Sequence, residues 1–195
     1  MRNKKAIVGI GTLIIFIATI VVSLIAAAVL INATNLLQER SLDVESAARE
    51  TIVSGLMVYS VNAYADLNDS KVYGLEFLVR LRPGSSPIEL RTVGFTLDSN
   101  TGIYAALLNT SKNNDDCTFE ALVPETEFCY IDRFSEGNSI IAPGDLYIMR
   151  FKLNESNWLP TYSDFEVALT PRTGGITILE LRTPELVLTE RIRLR

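Results

Sequence analysis

Between Lys5 and Glu39 the chain carries no charged side chain, and that gap limits its fold more than any other feature. Residues 6–31 within it read AIVGIGTLIIFIATIVVSLIAAAVLI, with Thr12, Thr19 and Ser23 as the only polar side chains. A bilayer is crossed by roughly 20 apolar residues, so the run is long enough to span one. In a helix each hydroxyl can donate back to a carbonyl of the preceding turn. The segment is therefore a helix that is apolar on every face, and such a helix must be covered all round by lipid or by protein. The preceding MRNKK is basic and stays on the cytoplasmic side.

Three readings of this N-terminus compete. A secretory peptide has a shorter apolar stretch, about 7–15 residues, followed by a small-residue cleavage site; Ala26-Ala27-Ala28 could serve as one, but the run before it is too long. A permanent anchor would hold one outer binding or sensor domain on the membrane as a monomer. A filament-subunit leader would be cut on the N-terminal side of the run, leaving the apolar helix on the mature chain.

Past the gap the pattern turns amphipathic. Leu37, Val44, Ala48 and Ile52 fall at helical spacings, with Glu39, Arg40, Asp43, Glu45, Arg49 and Glu50 between them. Glu45 and Arg49 are an i,i+4 pair of opposite charge. A helix from Ile7 to Ser54 would be roughly 70 Å long, more than a bilayer or a small core can cover. Gly55 is the expected stop, and the strand-like LMVYSVNAY follows almost at once.

The remainder alternates with period two. In 72–82, Tyr73, Leu75, Phe77, Val79 and Leu81 share a face opposite Glu76, Arg80 and Arg82. In 146–153, Tyr147, Met149, Phe151 and Leu153 oppose Arg150 and Lys152, and in 165–170 Phe165, Val167 and Leu169 oppose Glu166. In 186–195, Leu186, Leu188, Ile192 and Leu194 oppose Arg191, Arg193 and Arg195. Half-buried strands of this kind build a sandwich or barrel. Turn signals punctuate them at Asn68-Asp69-Ser70, Arg82-Pro83-Gly84, Asp98 to Gly102, Ala142 to Asp145 and Thr173-Gly174-Gly175. The expected fold is α+β: a long N-terminal hydrophobic helix, then an antiparallel β domain of about seven or eight strands.

Composition narrows function. The formal net charge is −5, and losing Arg2, Lys4 and Lys5 with a cleaved leader makes it more negative still. An acidic chain does not suit nucleic acid, whose phosphates are gripped by clustered Lys and Arg. With no histidine, the commonest general base and metal ligand are both missing. A Ser or Cys nucleophile lacks its usual base, and no phosphate-binding glycine loop is followed by Lys, so no catalytic residues, cofactor or metal are assigned. Gly9-Ile10-Gly11 lies inside the apolar helix with no strand before it. Asn113 to Asp116 could offer oxygen ligands to Ca²⁺, but an acidic solvated loop explains it better, and Asp98, Asn100 and Gly102 read as a hairpin turn. Cys117 and Cys129 share one polar stretch; in an oxidising compartment they form a local disulfide, the alternative being two free thiols.

KKA followed by IVGIGTLIIFIATIVVSLIAAAVLINATNLLQERS resembles the N-terminus of archaeal flagellins (archaellins). The resemblance is close over residues 4–41. It implies that Lys4 and Lys5 hold the basic positions of a leader, and that Ala6, where the family usually has Gly, precedes the cut by a prepilin-type peptidase. Ile7 would then be the first mature residue, with Gly9 and Gly11 the two glycines of the family's GIGTLIVFIA-like start. Gly11 stands where bacterial type IV pilins carry Glu, which favours archaellin over ordinary pilin. The implied organisation is a leader at 1–6, a filament-core helix at 7–55 and an immunoglobulin-like outer β-sandwich at 56–195. The implied function is that of a structural, non-enzymatic subunit of the archaellum filament, held in the membrane before assembly. Its implied partners are copies of itself or related flagellins, the peptidase and the archaellum motor and platform proteins. An adhesive pilin of the same assembly class is the alternative. Sequons occur at Asn32, Asn68, Asn109 and Asn154. Asn32 falls in the helix, whereas Asn68, Asn109 and Asn154 fall in turns or loops and are, by the same resemblance, N-glycosylation candidates.

Overall fold

A computed structural model describes residues 2–132 and 139–194, with side chains from Gly9 onward. It divides into two compact units, Met1–Ala48 and Arg49–Arg195. The first belongs to one helix, α1, Arg2–Val53, whose 52 residues span roughly 78 Å at 1.5 Å each. The expected helix residues of the leader, Lys4, Lys5, Ala6 and Ile7, lie within α1, but their side chains are outside the described residues. The hydroxyls bond backwards as anticipated: Thr12 donates to the Gly9 carbonyl, Thr19 to Phe16, Ser23 to Thr19 and Thr34 to Leu30, at 2.7–2.9 Å.

The second unit contains eleven strands among the described residues, more than the seven or eight expected. They are β1 (Leu56–Asp66), β2 (Lys71–Leu81), β3 (Ile88–Glu89), β4 (Gly94–Ser99), β5 (Gly102–Leu108), β6 (Glu127–Asp132), β7 (Ile140–Ile141), β8 (Tyr147–Lys152), β9 (Asp164–Thr170), β10 (Thr177–Arg182) and β11 (Arg191–Arg193). Among the additional strands, β3 and β7 have two residues each, too few to show a period in sequence. Nine strands run in the order β10-β9-β4-β5-β6-β8-β2-β1-β11. Neighbours are antiparallel except β5 and β6, which are parallel over two pairs, Leu107 with Glu127 and Leu108 with Phe128. At that weak seam the sheet folds over, so that β10-β9-β4-β5 faces β6-β8-β2-β1-β11. Phe95 of β4 marks the middle of the sandwich: its ring lies 4.5 Å from Phe151, 5.5 Å from Phe77 and 6.2 Å from Phe128, all on the facing layer.

The alternation read from sequence fills this core, with two departures. Leu75, Phe77, Val79 and Leu81 are buried, but Tyr73 is not their partner. A register shift between Tyr64/Gly74 and Ala65/Val72 reverses the phase, so Val72 enters the core and Tyr73 lies half-buried outside it. At the C-terminus the alternation expected over 186–195 holds only at its end. Ile192 and Leu194 pack on the core, whereas Leu186 and Leu188 are exposed and Val187 is buried instead. The segment between Pro184 and Glu190 is not a strand, and its irregular backbone shifts the phase. Arg195 lies outside the described residues.

The start of the second unit is clamped. Ser54 accepts at its carbonyl from the Gly175 amide at 2.8 Å, and its hydroxyl accepts from the Ser86 amide at 3.2 Å. The Gly55 amide donates to the Ser85 hydroxyl at 3.1 Å, and the Thr177 hydroxyl donates to the Leu56 carbonyl at 2.6 Å. Gly174 has φ +110°, and a Cβ there would sit 2.5 Å from the Ser54 carbonyl oxygen. Only glycine meets both conditions.

Candidate assembly surface

From Gly9 onward, the large apolar side chains of α1 are left exposed by the described residues. From Leu13 to Leu37 every large aliphatic or aromatic side chain is at least 44% exposed, with Phe16 at 64% and Leu30 at 67%. They do not form a stripe that one partner could bury; they surround the helix. Burying about twenty such side chains is worth on the order of 30–60 kcal/mol gross, at about 1.5–3 kcal/mol each. No charge between Lys5 and Glu39 opposes that burial.

Gly9 and Gly11 point the same way. A Cβ added at either meets no atom within 4 Å, so the chain's own fold does not ask for glycine there. Each glycine weakens the helix by about 1 kcal/mol relative to alanine. What glycine offers in exchange is a bare backbone that a neighbouring helix can approach closely.

A second constellation lies on the outer face of the β2-containing layer. Glu76 of β2 is 3% exposed, against the solvent-facing position expected from alternation. Its carboxylate accepts from Arg150 Nε and Nη2 at 3.0 Å, Arg191 Nη2 at 2.7 Å, Asn62 Nδ2 at 3.2 Å and the Tyr64 hydroxyl at 3.2 Å. The 109–130 stretch folds over it. Arg150 also donates to the Cys117 carbonyl at 2.8 Å, and the Phe119 ring occupies the hollow above Gly74, where a Cβ would come within 2.6 Å of it. Tyr64 and Tyr73 flank Phe119 at 4.7 and 5.7 Å. Burial, and after it the charge of Glu76, pushes the Tyr64 phenol above its ordinary value; burial does the same to Tyr73. Cys117 and Cys129 are joined at the base of this flap, with Cα atoms 5.5 Å apart.

The Cys117–Cys129 pair is the one part of this arrangement that the sequence suggests. For the rest, Gly74 inside a strand pattern was the available signal, since such a glycine marks a close approach.

The remaining sequence candidates scatter over the second unit. Asn68 is exposed in the β1–β2 turn, its amide donating to Asp66 Oδ1 at 2.8 Å. Asn154 is exposed and uses Oδ1 to cap a short 3-10 turn. Asn109 is more engaged: Nδ2 donates to Glu127 Oε2 at 2.6 Å while Oδ1 accepts from the Ser111 amide at 2.9 Å. Asn113 Nδ2 donates to the Thr110 carbonyl and Asn114 Oδ1 accepts from the Asp132 amide, while Asn113 Oδ1 is buried with no hydrogen-bond partner among the described residues. Among the described residues no three His, Cys, Asp or Glu side chains come together as a metal site.

The chain thus combines a long helix bearing exposed apolar side chains with a β-sandwich unit. The chain belongs to the archaeal-type flagellin family, whose pattern it matches over residues 6–181. It is 33% identical to Flagellin B3 of Thermococcus kodakarensis, over 92% of this chain and 74% of that one. It is 26% identical to Flagellin B1 of Methanocaldococcus jannaschii, over 94% and 92%. Among solved structures, the fold resembles archaeal flagellin FlaB1 of Methanocaldococcus jannaschii with TM-score 0.63 at 20% identity, covering 72% of this chain and 96% of that one. It also resembles the archaeal flagellum of Methanospirillum hungatei, with TM-score 0.66 at 16% identity over 92% and 95%.

Proposed function

We propose that this chain is the structural subunit of an archaellum filament and catalyses no reaction. The observation that carries the reading is the uncharged, all-round exposed surface of α1 from Gly9 to Gln38. In lipid that surface is satisfied before assembly. Once outside, only apolar neighbours can satisfy it, and sister copies of α1 are the neighbours a homopolymer supplies. The membrane-inserted precursor is cut after Ala6 by a prepilin-type peptidase, with Lys4 and Lys5 as the basic positions, so the mature chain begins at Ile7. Residues 7–55 then line the filament core, Gly9 and Gly11 admit close helix contacts, and residues 56–195 form the extracellular shell. Motor and platform proteins of the archaellum drive and seat the filament.

The surface chemistry of the shell fits exposure outside the cell. The Cys117–Cys129 bridge closes the flap over Glu76 in an oxidising milieu. Asn68 and Asn154 carry N-glycans, whereas Asn109 must first release Glu127. Mass spectrometry of the main band in sheared cell-surface filaments tests this reading. A mature N-terminus at Ile7 supports it; a membrane-retained single chain that still carries Met1 or Arg2 overturns it.

A further inference from the structure

The outer face of one layer of the sandwich is acidic, and one margin of the other layer bears arginines. On the β10-β9-β4-β5 layer, cross-strand register places Asp98 opposite Glu166 and Glu166 opposite Glu180. All three are exposed, as is Asp164 on the same face. Like charges directly opposite each other destabilise a sheet. The one cation on these strands' outward face, Arg182, is committed to Asp164, whose carboxyl it holds below the usual range.

Next to this acidic row the same face loses charge altogether. Ala105, Thr96, Ala168 and Ile178 stand side by side, and Gly94 and Thr170 follow in the next row. Ile103 and Leu107 on one margin and Ile176 and Ile178 on the other are 55–71% exposed. A shelf of small residues between exposed aliphatics is unlike a solvated sheet face, where polar alternation is the rule. On the opposite layer, the β2-β1-β11 margin is basic. Arg191 and Arg193 of β11 are exposed, Arg193 opposite Asn62 and Arg191 opposite Tyr64, and Arg80 of β2 lies over the Tyr59 ring at 4.7 Å.

We infer that the acidic, flat face of one outer domain receives the arginine-bearing β2-β1-β11 margin of a second copy of this chain. The inference rests on the filament reading, because polymerisation through α1 is what brings copies together. Because the two surfaces differ, the contact is head-to-tail, the kind that extends an open helix and does not close into a dimer. The apolar shelf supplies area to bury. The opposed charges fix the register and relieve the repulsion among Asp98, Glu166 and Glu180.

Charge reversal with rescue tests it in cells that make filaments from this chain. Arg191 is left unchanged because it holds Glu76. Glu166→Lys with Glu180→Lys is expected to abolish or shorten the sheared filaments, and Arg80→Glu with Arg193→Glu to do the same. Combining all four is expected to restore them. Near-ultraviolet circular dichroism of each chain in detergent confirms the fold, and Ile178→Ser, which alters no charge, is expected to weaken filaments independently. Filaments unchanged in both reversals, or lost without rescue in the fourfold variant, overturn the inferred contact. Absence of filaments from the unaltered chain overturns the assembly reading, and this inference with it.

Discussion

Replacing Glu76 with Gln tests the buried network that joins β2, β8 and β11. Glutamine matches glutamate in shape but presents one acceptor oxygen and an NH2 group in place of two acceptors. Its NH2 must then face a guanidinium, and Arg150, whose Nε and Nη2 both donate to one oxygen of Glu76, loses its compensating negative charge while its side chain is only 22% exposed. Removing one partner of a buried ion pair costs about 3–5 kcal/mol when the other stays dry. Arg191 is 58% exposed and can rehydrate, so its share is small and the expected loss is nearer ~2–3 kcal/mol. For a unit of this size, about 2–4 °C of melting temperature accompanies each kcal/mol, so the transition falls by roughly 5–10 °C. The assay is thermal unfolding of the full chain in detergent micelles, followed by the near-ultraviolet signal of Trp158 and the tyrosines. Arg191→Ala is the control, with a loss well under half of that. An unshifted melting temperature for Glu76→Gln, or equal damage from Arg191→Ala, refutes the view that burial of Glu76 and Arg150 sets the energy.

Three further outcomes follow from the same geometry. Gly174→Ala combines φ +110° with a carbonyl 2.5 Å from the new Cβ, and is expected to lower the same melting temperature through a loss of about 1–3 kcal/mol, whereas Gly144→Ala meets no atom and suffers only its positive φ. Reducing Cys117–Cys129, separated by 12 residues, removes on the order of 2–3 kcal/mol in the chain-entropy account; limited proteolysis is then expected to nick between Thr118 and Phe128, while the oxidised chain resists. Tyr64, Tyr73 and Tyr130 have phenols raised by burial, so their contribution is intact below the ordinary value of 10.0 and fades as pH climbs through their raised values; spectrophotometric titration should show late phenolates whose appearance coincides with unfolding.

Much of this architecture was legible because it rests on local periodicity. The uncharged run fixed α1, and a strand such as Asp164–Thr170 alternates cleanly because it has one face in the core. The turn signals fell between strands, Gly84, Gly102, Gly144 and Gly174 adopting positive φ. What sequence hid depends on partners distant along the chain. Glu76 looked like a solvent-facing residue because its companions Arg150 and Arg191 lie 74 and 115 positions away. The flap that covers it has no period at all, and Phe119 reveals its role only once Gly74 is beneath it. Alternation alone places Tyr73 on the core face, whereas a bulge, invisible in a single strand's pattern, resets the phase. The acidic row of Asp98, Glu166 and Glu180 likewise exists only after β9 and β10 are laid beside β4.

Electron cryomicroscopy of filaments sheared from cells reaches the central question directly, because it sees what surrounds α1. A core of packed copies of α1, with Leu13 to Leu37 dry and helices closest at Gly9 and Gly11, is the predicted density. A polymer whose helices lie exposed or sheathed in lipid, or preparations containing only dispersed membrane-bound chains, would contradict it.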